Sequence, residues 1–305
     1  MIIPLQPELY AINHQLKQLM LIYLTKTTDY TTPIDNLSLF RRDEAQPCSS
    51  CFYQPMVSII VQGSKLSLIG SKQYSYQAGD CLLTAVDVPA INTMTDVSPQ
   101  SPFLSLALYL DKDIINQLIS DFPQLSLIPP QPFEGMLVTK VELGILSAFV
   151  RLIQLLATPE HIAALAPLII KEIHYLLLIG PFGQQLRSIN TAGTQSHHIA
   201  KTINWLKVHY KQPIVVEELA QQANMALSTF HRHFKYVTTL TPLQYQKKLR
   251  LYEARRLMLS ENNTANQAGL AVGYESITQF NREYKRLFNA PPHSDIMRVR
   301  QVVNR

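Results

Sequence analysis

Two short stretches hold residue types and spacings that could do chemistry. STFHRHFK at 228–235 sets His231 and His233 two apart, and CSSC at 48–51 sets Cys48 and Cys51 three apart. The first would be a metal-ligand pair, the second a redox couple or half of a zinc site. On a helix, residues i and i+2 point about 200° apart, so His231 and His233 cannot close on one ion from a continuous helix. A zinc-binding helix would space its ligands as H-x-x-x-H or H-x-x-H. The CxxC precedes Phe52-Tyr53-Gln54-Pro55 and an apolar run that reads as a strand, so the helix that activates a thioredoxin-like thiol is missing. A zinc site would need two more ligands, and only Cys81 is at hand. Cys48 and Cys51 stay as candidate sensing thiols. Cys81, beside Leu82-Leu83, reads as a small buried residue.

The faces of the histidine-bearing helix suggest another use. Phe230, Phe234 and Val237 recur at i, i+4, i+7 and form a buried stripe, while Ser228, His231, Arg232 and Lys235 line the opposite side. Such a helix suits a DNA major groove, where Arg can pair bidentately with guanine and Ser and His can reach base edges or phosphates. An ordinary solvated helix would show the same polarity. Three features favour the groove: the preceding VVEELAQQA with its Asn224-Met225-Ala226 turn, the local charge, and a repeat. Residues 195–305 hold 16 Lys and Arg against 7 Asp and Glu, a net +9, whereas 1–194 carry −4. TQFNREYK at 278–285 repeats STFHRHFK at an offset of 50, and Pro292 answers Pro242 at the same offset. Two similar helical units are therefore joined by a long helix over 241–259.

The elements that hold these residues fall into two parts. The 305-residue chain, 47% hydrophobic and 16% charged, is long enough for about two packed domains. Three cysteines do not make a disulfide framework, and MIIPLQPELY lacks the basic start of a secretory signal. LAPLIIKEIHYLLLIGPFG is broken by Lys171, Glu172 and His174, which leaves its uninterrupted part short of a membrane span. A cytoplasmic protein with no membrane contact is expected. MVSIIVQG, KLSLIG, QYSYQAGD, CLLTAVDVP and FLSLALYL each read as one strand of a small barrel or sandwich. DKDIINQLISDF reads as a helix capped by Asp111 or Asp113, followed by helices at 138–156, 159–166 and 167–179. RSINTAGTQS at 187–196 reads as a linker. After it, helices are expected at 197–210, 215–223, 227–237, 241–259, 264–270 and 276–287, with a tail helix beyond Pro292. Trp205 reads as core of the first of these, and Arg41-Arg42 as solvated, with an anionic ligand as the alternative.

ELAQQANMALSTFHRHFKYVTTLTPLQYQKKLRLYEARRLM, followed by AVGYESITQFNREYKRLFNAPP, resembles the DNA-binding region of the AraC/XylS family of bacterial transcription regulators. The resemblance covers nearly all of 197–298 and implies two helix-turn-helix units that enter successive major-groove segments about 34 Å apart. It places base contacts on Ser228, His231 and Arg232 in the first unit, and on Ile277, Thr278, Asn281 and Arg282 in the second. Lys235, Lys247, Lys248, Arg250 and Lys285 are expected on the DNA backbone. Ala226 stands where relatives usually carry a capping serine, and Ser228 is the candidate substitute. Ile277 replaces a frequent proline, and Asn289 stands where glycine is expected.

LSLFRRDE, YQPMVSIIVQGSK, YSYQAGDCLLTAVDVPA and SPFLSLALYLD resemble the N-terminal domain of a subfamily of AraC-type regulators, a cupin-like barrel with trailing helices that senses an effector. The whole is thus expected to be a multidomain α+β chain: a sensor at 1–186, a linker at 187–196, and an all-α DNA-binding domain at 197–305. The expected partners are double-stranded DNA, a small-molecule effector, RNA polymerase and a second copy of the chain. No cofactor and no metal site are expected. Metal-dependent cupins carry a His-x-His…Glu…His cluster, whereas the histidines before the linker are His14, His161 and His174, all outside the strands. No GxSxG, HExxH or glycine-rich phosphate loop occurs, so a barrel enzyme with a helical tether is the disfavoured rival. An RNA-binding regulator is a second rival, opposed by the lack of stacking aromatics beside the basic face.

Overall fold

The computed structural model describes residues 7–45, 49–95, 97–126 and 134–303. Cys48 therefore lies outside the described residues. A helix, α1 (Pro7–Tyr23), opens the chain and buries Leu16 and Met20. Nine strands follow: β1 (Thr28–Thr31), β2 (Leu37–Arg42), β3 (Ser49–Tyr53), β4 (Met56–Gln62), β5 (Ser64–Ile69), β6 (Lys72–Gln77), β7 (Asp80–Thr84), β8 (Val88–Thr95) and β9 (Phe103–Tyr109). After α2 (Lys112–Asp121) the chain returns as β10 (Met136–Lys140), then forms α3 (Leu143–Gln154), α4 (Ile162–Ile179) and α5 (Gly183–Asn190). All strand pairs are antiparallel. They build a six-stranded sheet, β1-β2-β9-β4-β7-β10, and a four-stranded sheet, β3-β8-β5-β6. β4 and β9 lie inside the larger sheet and are buried on both faces, which is why they read as near-continuous apolar runs.

Several expectations are corrected here. CLLTAVDVP is not one strand, because β7 ends at Thr84 and Val88 begins β8. The helix expected at 138–156 starts only at Leu143, since 136–140 form β10 paired with β7. Helices 159–166 and 167–179 are one helix, α4, with Pro167 inside it near its N-terminal end. A proline there leaves few acceptors without a partner, so the helix continues. Pro159–Ile179 is also long and apolar enough to cross a membrane by length and composition. Here it packs Ile169, Ile170, Ile173, Leu177 and Leu178 inward. The segment 187–196 is not free of structure: α5 runs to Asn190, and Thr194 caps the next helix by accepting the His197 N–H at 3.0 Å. Asp111 is the α2 cap, accepting the N–H groups of Asp113 (2.9 Å) and Ile114 (3.1 Å).

The C-terminal part is all helical: α6 (Gln195–His209), α7 (Val216–Gln222), α8 (Leu227–Thr238), α9 (Pro242–Ser260), α10 (Ala265–Ala271), α11 (Ile277–Phe288) and α12 (Pro292–Val303). The fold is thus the expected sheet domain with trailing helices, followed by two helix-turn-helix units joined by α9. Its core does not divide at 187–196. The barrel, α6, α7, α8 and Tyr245 share one buried apolar cluster, while Leu251 to Ile296 form a second.

Candidate nucleic-acid interface and effector cavity

The 50-residue repeat is a repeat of structure. Phe230 and Phe280 are both fully buried, as are Phe234 and Tyr284. They seat α8 and α11 on the rest of their units. Both helices end on a left-handed residue, Thr239 at φ 63° and Asn289 at φ 56°. Each supporting turn is left-handed too, at Asn224 in the first unit and Gly273 in the second. The N-termini differ. Ser276 caps α11 by accepting the Gln279 N–H at 3.3 Å, whereas Ala226 leaves α8 without a side-chain cap, and Ser228 does not supply one.

On the outward faces, Ser228, His231, Arg232 and Lys235 of α8 are exposed, as are Thr278, Asn281, Arg282 and Lys285 of α11, while Ile277 is half-buried. Arg232, Lys235, Arg282 and Lys285 have no ion-pair partner among the described residues. Four cations at equivalent positions of two helices thus face solvent with their charge unneutralised. His233 turns away from His231, is half-buried, and has its basicity lowered by burial and then by Arg232. No group of three His, Cys, Asp or Glu that could hold a metal ion occurs among the described residues.

Three of the cations expected on the DNA backbone are half-buried or engaged within the fold. Arg250 donates Nε to the Tyr210 carbonyl (2.7 Å), Nη1 to that of Gly273 (2.9 Å), and Nη2 to those of Lys211 (3.0 Å) and Gln212 (3.2 Å). Lys247 pairs with Glu283 at 2.9 Å. Lys248 is half-buried, and burial lowers its basicity. Glu283 also accepts from Tyr274 (2.8 Å) and Gln279 (3.1 Å). Burial alone would raise its pKa, but these donors, led by Lys247, hold it below the usual carboxylate range. In the second unit, the fully buried Asp295 takes Arg255 through both oxygens (2.8 and 3.0 Å), Tyr284 (2.8 Å) and Arg298 (3.0 Å).

Between the barrel sheets lies a cavity of about 260 Å³. Its polar wall is a closed hydroxyl network: Tyr53 donates to Asn92 Oδ1 (2.8 Å), Ser67 donates to the same oxygen (2.6 Å), and Tyr76 joins both hydroxyls. Asn92 Nδ2 donates to Cys51 Sγ at 2.9 Å. Burial raises the Cys51 pKa, with Lys65 and Asn92 opposing it, so this is a neutral thiol on a strand. Lys65 Nζ stands 5.3 Å over the Tyr53 ring. Arg42 also lines the cavity. Neither it nor Arg41 is solvated as expected: Arg42 binds Asp29 and the Thr28 carbonyl, and Arg41 binds Asp43 and the Leu24 carbonyl. Cys81 is fully buried, and Trp205 is half-buried, stacked on His209 at 4.2 Å.

The cavity wall touches the helical part. Phe52 lines it and meets Tyr245 and Tyr252 of α9 edge-on, at 5.7 and 5.3 Å. Tyr245 donates to the Asp87 carbonyl (2.9 Å), and Lys207 pairs with the Asp87 carboxylate (2.8 Å). At the end of α8, the Gly135 N–H donates to the Val237 carbonyl (3.0 Å). Thr239 is so close to Gly70 that a Cβ there would lie 2.2 Å from its Oγ1. Nothing local in the sequence marks Phe52 or Asp87, because their partners on the helical part stand roughly 120 to 200 positions away.

A double-sheet barrel joined to two outward-facing, cation-bearing helix-turn-helix units defines a DNA-binding protein with a cavity in its attached barrel. A profile described as the AraC-type transcriptional regulator N-terminus matches residues 33–185, and one described as a helix-turn-helix domain matches 219–295. The chain belongs to the AraC-type transcriptional regulators. It is similar to the transcriptional activator RhaS of Pectobacterium carotovorum, at 27% identity over 136 residues, or 45% of this chain and 47% of that one. RhaS of Salmonella schwarzengrund is 31% identical over 99 residues, 32% and 35% of the two chains. The chain thus spans about half the length, or less, of these curated relatives. In fold it is similar to apo ToxT of Vibrio cholerae, with a TM-score of 0.55, 10% identity, and coverage of 88% of this chain and 99% of that one. ToxT with a bound unsaturated fatty acid gives 0.54, 12%, 89% and 97%.

Proposed function

We propose that the chain is a sequence-specific DNA-binding transcription regulator, not an enzyme, whose barrel senses a small molecule. The observation that carries this is the pair of equivalent helices, α8 and α11, each presenting an exposed arginine and lysine without an acidic partner. Such cations suit base edges and phosphates, since no internal salt bridge has to be broken before DNA is bound. Arg232 and Arg282 are the principal base readers, flanked by Ser228, His231, Thr278, Asn281 and Ile277. Lys235 and Lys285 contact the backbone. In function the chain divides into a sensor at 1–186, a connecting segment at 187–196 and the DNA-binding region at 197–305, working in the cytoplasm.

The effector is a small amphipathic molecule, matched by a cavity with one hydroxyl-and-amide wall, one apolar wall and the Lys65 ammonium at its edge. Filling the cavity moves Phe52 and, through Tyr245 and Tyr252, the helix that joins the two DNA-binding units. The population able to grip DNA then shifts by the effector's preference between the two arrangements. A nuclease footprint of the purified chain on DNA upstream of its own and neighbouring genes tests the reading. Two adjacent protected major-groove segments are expected, and failure to bind even random duplex at low salt would refute it.

A further inference from the structure

The two helix-turn-helix units do not share one apolar core. The first is fused with the barrel's cluster, the second is built around Phe280 and Tyr284, and α9 passes from one to the other near Leu249 to Leu251. At that crossing stands Arg250. Its guanidinium grips the carbonyls of Tyr210, Lys211 and Gln212, which end the first helix of unit one, and that of Gly273, in the turn of unit two. One turn earlier on α9, Gln246 binds the Tyr210 carbonyl (3.0 Å) and that of Gln212 (2.5 Å). The approach is close. A Cβ at Gly273, already at φ +91°, would lie 2.2 Å from the Lys211 carbonyl oxygen. Lys247 adds a tie from α9 to Glu283 on the second recognition helix.

From this we infer that Arg250 is a positioning residue that fixes the distance and rotational phase between recognition helices α8 and α11, and so sets the spacing of the two base segments the protein accepts. The inference rests on the proposed two-segment DNA reading. A planar guanidinium that spreads its donors over four carbonyls resists rotation in a way a single contact cannot, because its fork geometry is rigid. Small rotations matter here. A tilt of about 10° acting over ~17 Å, half the ~34 Å between groove segments, displaces a recognition helix by ~3 Å, roughly one base-pair step. Arg250 thereby contributes to specificity without touching a base.

The test uses the full chain and works without a known operator. A preferred site is selected with the wild type from randomised duplex DNA. Affinity is then measured on that site and on versions with one base pair added or removed between its two segments. The wild type is expected to lose about tenfold or more on either change, because insertion shifts and rotates one segment against the other. Arg250→Met should bind the parent site more weakly, yet tolerate the altered spacings to within about threefold, with an unchanged salt slope. Arg250→Lys, which keeps the charge but not the fork, should fall between. Gly273→Ala disturbs the same joint without changing charge, and should reproduce the loss of spacing preference if Arg250→Met folds poorly.

A two-segment wild-type site with an unaltered spacing penalty in Arg250→Met and Gly273→Ala overturns the strut and leaves the two-segment reading standing. Weaker binding by Arg250→Met with a salt slope smaller by about 0.9 and the spacing penalty intact makes Arg250 a phosphate contact instead. Selection of a single segment by the wild type removes the two-segment reading and the strut with it.

Discussion

Replacing Asp295 should unfold the second DNA-binding unit ahead of the rest of the chain. Its carboxylate is fully buried and accepts two bonds from Arg255, one from Tyr284 and one from Arg298. These partners differ in what they lose. Arg298 is 57% exposed and regains water, so its share is within about 0–1 kcal/mol. The Arg255 side chain is only 21% exposed and leans on the Phe288 ring at 4.7 Å, and Tyr284 is fully buried, so both would lose their carboxylate acceptor away from bulk water. A stranded buried hydroxyl costs about 1–3 kcal/mol. Breaking a buried ion pair from one side costs about 3–5 kcal/mol. Asp295→Ala should therefore cost about 4 kcal/mol, the two figures overlapping because they share one carboxylate. In a unit this small that lowers the melting midpoint by more than about 10 °C. Hydrogen exchange is the suitable assay, because it resolves α9 to α12 from the barrel. Protection should collapse in α11 and α12 while the strands keep theirs. A cost below about 1 kcal/mol, or equal loss across the whole chain, would refute the idea that this carboxylate anchors a separately cored unit.

Three further outcomes are expected. Arg232→Ala should lose about 1–3 kcal/mol of discrimination between the selected site and random DNA, while Lys235→Ala weakens both alike and lowers the salt slope by about 0.9; equal losses on both DNAs for Arg232→Ala would reverse the assignment. His174 is buried, accepts the Asp111 N–H at 3.0 Å and lies 2.8 Å from the Ile170 carbonyl, and burial lowers its pKa below the ordinary 6.5. Because the folded state resists protonation, its contribution is fully present above about pH 6.5 and is lost as pH falls below it, so melts from pH 7.5 to 5.5 should decline less steeply in His174→Gln. Cys51, with its pKa raised mainly by burial, should react with iodoacetamide at pH 7.5 more slowly than free cysteine, and faster labelling would restore it as a sensing thiol.

The DNA-binding units were the most legible part of the sequence, because helical periodicity, turn residues and the 50-residue repeat are all local signals. Phe230 and Phe280, or Phe234 and Tyr284, announce their burial by spacing alone. The barrel was less legible. β10 lies in a segment whose apolar residues also fit a helix, and only its pairing with β7, about 55 positions earlier, decides the matter. Charge was legible in amount but not in use. Arg250 and Lys247 look from sequence like any other cations of a basic helix, yet one binds carbonyls and the other Glu283. A side chain's partner is a property of tertiary contact, and no spacing along the chain encodes it.

The same contrast separates the two units in function. The second has an apolar cluster of its own: Ser276 caps its recognition helix, Asp295 closes its core, and Tyr252 of α9 links it to Phe52 of the barrel. The first lacks the cap at Ala226, shares its core with the barrel, and rests the far end of α8 on Gly135 and Gly70. A missing cap costs a helix about 1 kcal/mol, so α8 depends more on its tertiary supports than α11 does. A change at the cavity wall would reach the core under α8 through Phe52 and Tyr245, which meets Phe234 edge-on at 5.6 Å. The same wall reaches the second unit through Tyr252, which meets Phe288 of α11 edge-on at 5.4 Å, so an effector should act most on the DNA segment read by the uncapped first unit and less on that read by the second. Base-by-base footprints taken with and without an effector would then change more over the first unit's groove segment, and equal changes over both would show that the two units respond as one body.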